Sequence, residues 1–178
     1  MFPNLKNTKI ESKKDYLSAG AYGVVIKSFK DSASNVEYKG TPYYEFLVED
    51  KDGGIAYLKF SGVDSHTSEA AARVRTEIFK QFLINAGVKT FDNPKSSCEE
   101  AVGKSLYVCL AEREWWTIDK DTDNPVIKTR VEYKFSGTRP LVFKESYNKP
   151  LHPEQRADYE RALNARQNDT TEETDLPF

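Results

Sequence analysis

Two cysteines and two histidines are all that this chain of 178 residues offers for soft-metal or thiol chemistry. Cys98 and Cys109 show no metal or redox spacing, and Cys109 sits inside the apolar run "LYVCLA". His66 and His152 have no His, Cys or carboxylate neighbour at ligand spacing, so a zinc site is not expected. Free thiols without a framework point to a reduced, cytoplasmic setting. No apolar run approaches the roughly 20 residues that span a bilayer. The start, "MFPNLKNTKIESKK", lacks the apolar segment of a signal peptide. There is no Gly-rich phosphate loop, and "DKDGG" (50–54) reads as a turn. "DKDTDN" (119–124) resembles the start of a calcium loop, but Asn124 stands where glycine is needed and Arg130 where the bidentate glutamate is needed. No catalytic constellation emerges, and neither a cofactor nor a metal is expected.

What the chain does have is charge and aromatic rings, at 30% and 12% of residues. Its length suits one domain with tails. The net charge of −2 conceals an asymmetry: Asp169, Glu172, Glu173 and Asp175 lie in the last ten residues, which contain no Lys or Arg. Without them, residues 1–168 carry 26 bases against 24 acids. A basic body with an acidic tail is a pattern of nucleic-acid binding.

Residues 1–19 are polar and Lys-rich and read as a loose arm. "AYGVVIKSF" (21–29) reads as a first strand, "PYYEFLVE" (42–49) as a second and "IAYLKFSG" (55–62) as a third, with strands two and three joined as a hairpin. In the next segment Ala71, Val74, Ile78, Phe82 and Ala86 recur at helical spacing, while Arg73, Arg75, Glu77 and Lys80 fall mostly elsewhere. Thr67 or Ser68 supplies an N-cap and Gly87 a stop. After a loop, "KSLYVCLAER" (104–113) is a fourth strand, "EWWTIDKDTDNP" (114–125) a loop or hairpin tip, and "VIKTRVEYKF" (126–135) a fifth strand. Pro153 can open a short helix within 149–168, carrying Tyr159, Ala162 and Leu163 on one face. The order β-β-β-α-β-β over residues 20–148 is that of the OB fold, a five-stranded Greek-key barrel that binds oligonucleotides or oligosaccharides across strands two and three and the flanking loops.

Alternation sorts the faces. Tyr44, Phe46 and Val48 turn inward, as do Ala56, Leu58 and Phe60. Ile127, Thr129, Val131 and Tyr133 form one face of strand five, and Lys128, Arg130, Glu132 and Lys134 the other. The outward set is then Tyr43, Tyr57, Lys59, Lys128 and Arg130, joined by Lys27 of strand one and Arg113 of strand four. The flanking loops add Tyr38 and Lys39 on one side and Trp115 and Trp116 on the other. Bases stack on aromatic rings at roughly 1–3 kcal/mol each while cations follow the phosphates, so these residues are a candidate single-strand site without base preference. The competing explanation is ordinary: strand tyrosines pack a sheet, strand lysines face water, and one of two adjacent tryptophans can enter the core.

The chain ends "TTEETDLPF". A stretch so acidic and poor in apolar residues is expected to be disordered over 169–178, yet it closes on Leu176, Pro177 and Phe178. An acidic tip ending in Asp175, Leu176, Pro177 and Phe178 behind an OB-like body resembles the single-stranded DNA-binding proteins of bacteria and their phages. The body departs from the common bacterial version. Its long helix between strands three and four suits a divergent phage-type member, and the usual Gly/Gln-rich linker is missing. Tetramerisation therefore does not transfer. The resemblance implies that the tip docks replication, recombination and repair enzymes in the host cytoplasm, with the Phe178 ring in an apolar pocket and its carboxylate paired with a base. Pro177 would stiffen the approach, and the upstream acids would give salt-sensitive attraction. The alternative is a solubilising tail with an incidental Phe end.

The reading that unites these features is a non-enzymatic protein that coats single-stranded DNA and recruits partners through its tip. A protein-interaction adaptor that does not touch DNA is the main alternative, and a small nuclease a third. The acidic tail could also occupy the basic groove when DNA is absent. In that case deleting residues 169–178 tightens DNA binding and reduces its salt sensitivity in a titration, whereas unchanged affinity argues against self-occupancy.

Overall fold

The computed structural model describes residues 15–172. Its elements are β1 (Gly20–Asp31), β2 (Tyr43–Asp50), β3 (Ile55–Ser61), α1 (Glu69–Asn85), α2 (Pro94–Ala101), β4 (Ser105–Ile118), β5 (Pro125–Gly137) and α3 (Pro153–Glu172). The strands form one antiparallel open sheet in the order β3-β2-β1-β4-β5, so the fold is mainly β with three helices. Among the described residues no helix is long and apolar enough to cross a membrane.

Local chemistry sets the element ends. Asp50 Oδ1 accepts from Asp52 N at 3.0 Å and Gly54 N at 2.8 Å, and Gly53 takes φ +83°, closing the β2–β3 hairpin. Ser68 caps α1 by accepting from Ala71 N, and Gly87 ends it at φ +81°. The expected loop after α1 contains α2 instead. Its signal is the run "NP": Asn93 accepts from Lys95 N at 2.8 Å, and Pro94 takes the first helical position.

The core lies between the curled sheet and α1. Val24, Ile26, Phe46, Val48, Ala56, Leu58, Phe60, Leu106, Val108 and Leu110 turn into it. The inward sets expected for β2 and β3 are thus buried, with Tyr44 packed at their edge. On α1 the expected stripe is only half right. Phe82 and Ala86 are buried, but Val74 and Ile78 are 48% and 45% exposed. Helical spacing permits two overlapping stripes, and the one carrying Phe79, Phe82 and Leu83 buries more aromatic surface. Those rings join Phe46, Phe60 and Tyr133 in one cluster. Phe60 lies 4.7 Å from Phe82 and 4.9 Å from Tyr133, centroid to centroid.

β4 pairs with β1 only from Ser105 to Leu110, yet stays paired with β5 as far as Ile118. The hairpin therefore outruns the rest of the sheet by eight residues, roughly 25 Å at strand rise. This corrects the placement of residues 114–118 in a loop: the turn begins at Asp119, whose carboxylate accepts from Asp121 N and Thr122 N. Those N–H groups hold the Asp119 carboxyl below its ordinary range. The projection also explains why Val131 and Tyr133 reach the core while Thr129 is exposed. Residues 148–149 line the free flank of β4, with Lys149 N donating to Glu112 O at 2.8 Å and Glu114 N to Lys149 O at 2.9 Å.

Part of the expected N-terminal arm is fixed. Leu17 N donates to Ile55 O at 2.8 Å and Ile55 N to Asp15 O at 2.9 Å, so residues 15–17 lie alongside the start of β3. At the other end α3 is four residues longer than the helix expected to stop at 168, and takes in Asp169 and Glu172 of the predicted tail. The tip, Asp175–Phe178, lies outside the described residues.

Two outcomes follow for stability. Phe82→Ala should cost about 3–5 kcal/mol in urea denaturation, whereas Ile78→Ala should stay within about 0.5 kcal/mol; equal costs would mean that the buried stripe is misassigned. Asp64 ties two loops together, accepting from the Thr41 hydroxyl, from Thr67 Oγ1 at 2.9 Å and from His66 N at 2.9 Å. These bonds, that from Thr41 foremost, lower its carboxyl from 3.8 to about 2. Its stabilisation is then complete above the unfolded value of 3.8 and lost as pH falls through about 2. The difference in urea midpoint between the wild type and Asp64→Asn should close over that interval, and a pH-independent difference would contradict the assignment.

Candidate nucleic-acid interface

Residues opposed in an antiparallel pair share a face, so register decides which candidates meet. Tyr43 pairs with Ser61, Glu45 with Lys59 and Leu47 with Tyr57. These form the outer face of β2 and β3, opposite the buried Phe46, Leu58 and Phe60. Lys59 Nζ sits 4.0 Å from the centroid of the Tyr43 ring, a cation–π contact. Tyr38 meets Tyr43 edge-on at 5.3 Å, and its hydroxyl is anchored to Thr41 O at 3.0 Å.

On the projecting hairpin, Arg113 opposes Arg130, and Trp115 opposes Lys128. All four share a face. The Arg130 guanidinium carbon lies 5.5 Å from the centroid of the Trp115 ring system, and its Nη2 pairs with Glu132 Oε2 at 3.1 Å. Between β3 and β5 the sheet is open, and a groove of about 470 Å³ runs there, lined by Tyr57, Lys59, Ser61, Arg130, Glu132 and Tyr133, with Val131 at its floor. Two rings (Tyr38, Tyr43), two cations (Lys59, Arg130) and a third ring (Trp115) follow one another across the seam.

Three expected residues fall outside this track. Trp116, consecutive in a strand with Trp115, faces the other way: it opposes Ile127 and packs 6.3 Å from Tyr159 of α3. The same face of the hairpin is pinned to the C-terminal segment by Glu114, which accepts from Leu151 N at 2.9 Å and lies 3.9 Å from Arg156. At the turn, Arg166 of α3 donates to Asp123 O at 2.9 and 2.7 Å and pairs with its carboxylate. The two tryptophans are therefore not one loop pair, because the loop expected around them is strand. Lys27 stands in the bulge between Ile26 and Ser28 on central β1, two strands from β3. Lys39 is exposed in the loop beside Tyr38, outside the groove's lining.

One residue is added that alternation could not reveal. Tyr16 is 72% exposed, and its ring lies 6.3 Å from Tyr57. It lines a second hollow of about 310 Å³ with Leu17, Ile55, Ala56, Tyr57, Leu110 and Val131, which continues the groove at one end. Its placement depends on backbone pairing to Ile55, for which a polar arm carries no periodic signal.

A larger hollow, about 550 Å³, lies around Gly23, Val25, Asn85 and Gly87. Its charged lining is Glu49 and Asp50 against Lys51, the wrong balance for a polyanion. Both thiols are poor nucleophiles: burial pushes Cys98 up to about 12, with Asp31 and Glu99 adding to it, and burial raises Cys109 as well.

No protein-family model matches the chain, and no curated protein sequence matches it significantly.

The two tryptophans give this geometry a direct check. In a Trp115→Phe background, where Trp116 is the sole reporter, Tyr159→Ala should shift the emission to the red by uncovering the indole. Emission that does not move would place α3 away from the hairpin.

Proposed function

We propose that the open sheet is an OB-like barrel that binds single-stranded DNA without base preference. The observation that carries this reading is convergence: Lys59 of β3 and Arg130 of β5 line one groove with Tyr57, flanked by Tyr43 under Lys59 and by Trp115 beside Arg130. The strand order, with a helix between β3 and β4 and the β3–β5 edges left open, supports the barrel.

In this reading bases stack on Tyr43, Tyr57 and Trp115, each contributing roughly 1–3 kcal/mol. Lys59, Lys128, Arg113 and Arg130 neutralise phosphates and release counterions. Three to four such contacts correspond to a slope of log affinity on log salt of about −2 to −3 for single strands. Glu132 holds the Arg130 guanidinium in place and must share it with a phosphate. The protein works by binding: it would cover exposed strands during replication, recombination and repair. Asp175, Leu176, Pro177 and Phe178 would recruit partner enzymes, a role supported by their likeness to the tips of bacterial and phage single-strand binders.

The test is a fluorescence titration with poly-dT against a duplex control, using the two single-tryptophan variants. Trp116→Phe, which retains Trp115, should be strongly quenched by single strands and not by duplex. Trp115→Phe should respond weakly. No quenching together with a blank gel shift would refute the proposal and favour the adaptor reading, in which a protein ligand fills the groove.

A further inference from the structure

We infer that the track continues beyond the Tyr57–Arg130 groove into a phosphate subsite built by Arg75 of α1 with Lys59 and Lys134. This rests on the single-strand reading above and extends it to residues that the strand pattern does not include. A hollow of about 250 Å³ adjoins the groove and shares Lys59, Ser61 and Tyr133 with it. Its remaining lining is Phe60, Arg75, Ile78 and Lys134. The groove, this hollow and the one beside Tyr16 thus form a continuous cleft along the β3–β5 seam, from the N-terminal segment to α1.

The charge at this end is unlike that of the central groove. Three of seven lining residues are cations and none is an acid. Arg130 is held by Glu132, whereas among the described residues Arg75, Lys59 and Lys134 make no ion pair. Arg75 is nevertheless fixed in place. Its Nη1 donates to Gly62 O at 2.9 Å and reaches Thr67 Oγ1 at 3.4 Å, anchoring the guanidinium to the loop before α1. A half-buried guanidinium with no carboxylate, beside two lysines, is an arrangement that favours an anion.

Ile78 supplies the second component. It is 45% exposed although its helical spacing fits a core stripe, and it lines this hollow rather than the core. An apolar side chain next to three cations suits a nucleotide, whose sugar and base rest on Ile78 while the phosphate meets the charges. An isolated inorganic anion would leave that surface unused. The ligand class is therefore a nucleotide unit of the same single strand, and the strand runs along the seam toward α1.

The test is the salt dependence of poly-dT binding by wild type, Lys134→Ala, Arg75→Gln, Arg75→Lys and, as a control in the central groove, Tyr57→Ala. Loss of one phosphate contact should reduce the slope of log affinity on log salt by about 0.7. Lys134→Ala and Arg75→Gln should each show that reduction. Arg75→Lys, which retains the charge, should recover most of the slope, and this separates a phosphate contact from a merely structural loss at the Gly62 anchor. Because Lys134 is exposed, its variant tests the subsite even if Arg75→Gln folds poorly. If Tyr57→Ala weakens binding while Lys134→Ala and Arg75→Gln keep the wild-type slope, the extension is overturned and the central groove stands. If wild type itself does not bind poly-dT, the single-strand reading falls and the subsite with it.

Discussion

The unjoined edges of the sheet govern everything built on it. β3 and β5 are the two terminal strands, and they approach through side chains, not through backbone hydrogen bonds. Closure rests on Phe60 against Tyr133, with Phe82 beneath both. Burial raises the Tyr133 phenol, and its hydroxyl donates to Ser136 Oγ at 2.9 Å, so its one polar atom is satisfied at the margin of an aromatic cluster. Above that cluster, edge N–H and C=O groups need water or a ligand, and an apolar plug could not satisfy them. The opening is therefore a polar-edged groove beside an aromatic cluster.

Edge strands also invite pairing with other chains, and charged side chains are a common defence. Lys59, Arg130 and Lys134, which line the opening, suit that purpose. The two roles are compatible, since a polyanion can occupy a surface from which another strand is repelled. Edge protection alone does not require the rings that accompany these cations, Tyr43 under Lys59 and Trp115 beside Arg130, and the proposed binding role does. The hairpin that carries Trp115 extends past the sheet and needs its own support. The 148–149 segment on its flank and α3 on its reverse face provide it.

The sheet is readable in the sequence because β2 and β3 alternate, Leu47 and Ile55 apart, with one face able to enter the core. That alternation predicts Tyr43, Tyr57 and Lys59 to point outward, and they lie opposite the buried Phe46, Leu58 and Phe60. Alternation fails where a strand leaves its neighbours. Beyond Leu110 no third strand imposes a buried face, so residues 114–118 read as loop although they pair with β5. On α1 the period itself is ambiguous. Val74 and Ile78 satisfy the period, but period alone does not choose between stripes, and aromatic volume decided for Phe79 and Phe82. The eight residues of α2 hold too little periodicity to announce a helix, even with a clear Asn-Pro start. Tyr16 and Arg75 enter the cleft through contacts distant in sequence, to Ile55 and Gly62, and no local pattern encodes those.

The central claim is that a single strand lies along the β3–β5 seam. Photocrosslinking with iodouracil-substituted poly-dT, followed by mass spectrometry of the adducts, tests it most directly. The account predicts adducts on Tyr43, Tyr57 and Trp115. Adducts confined to the opposite side, around Gly23, Tyr107 and the end of α1, or spread evenly over exposed aromatics such as Phe91, would contradict it.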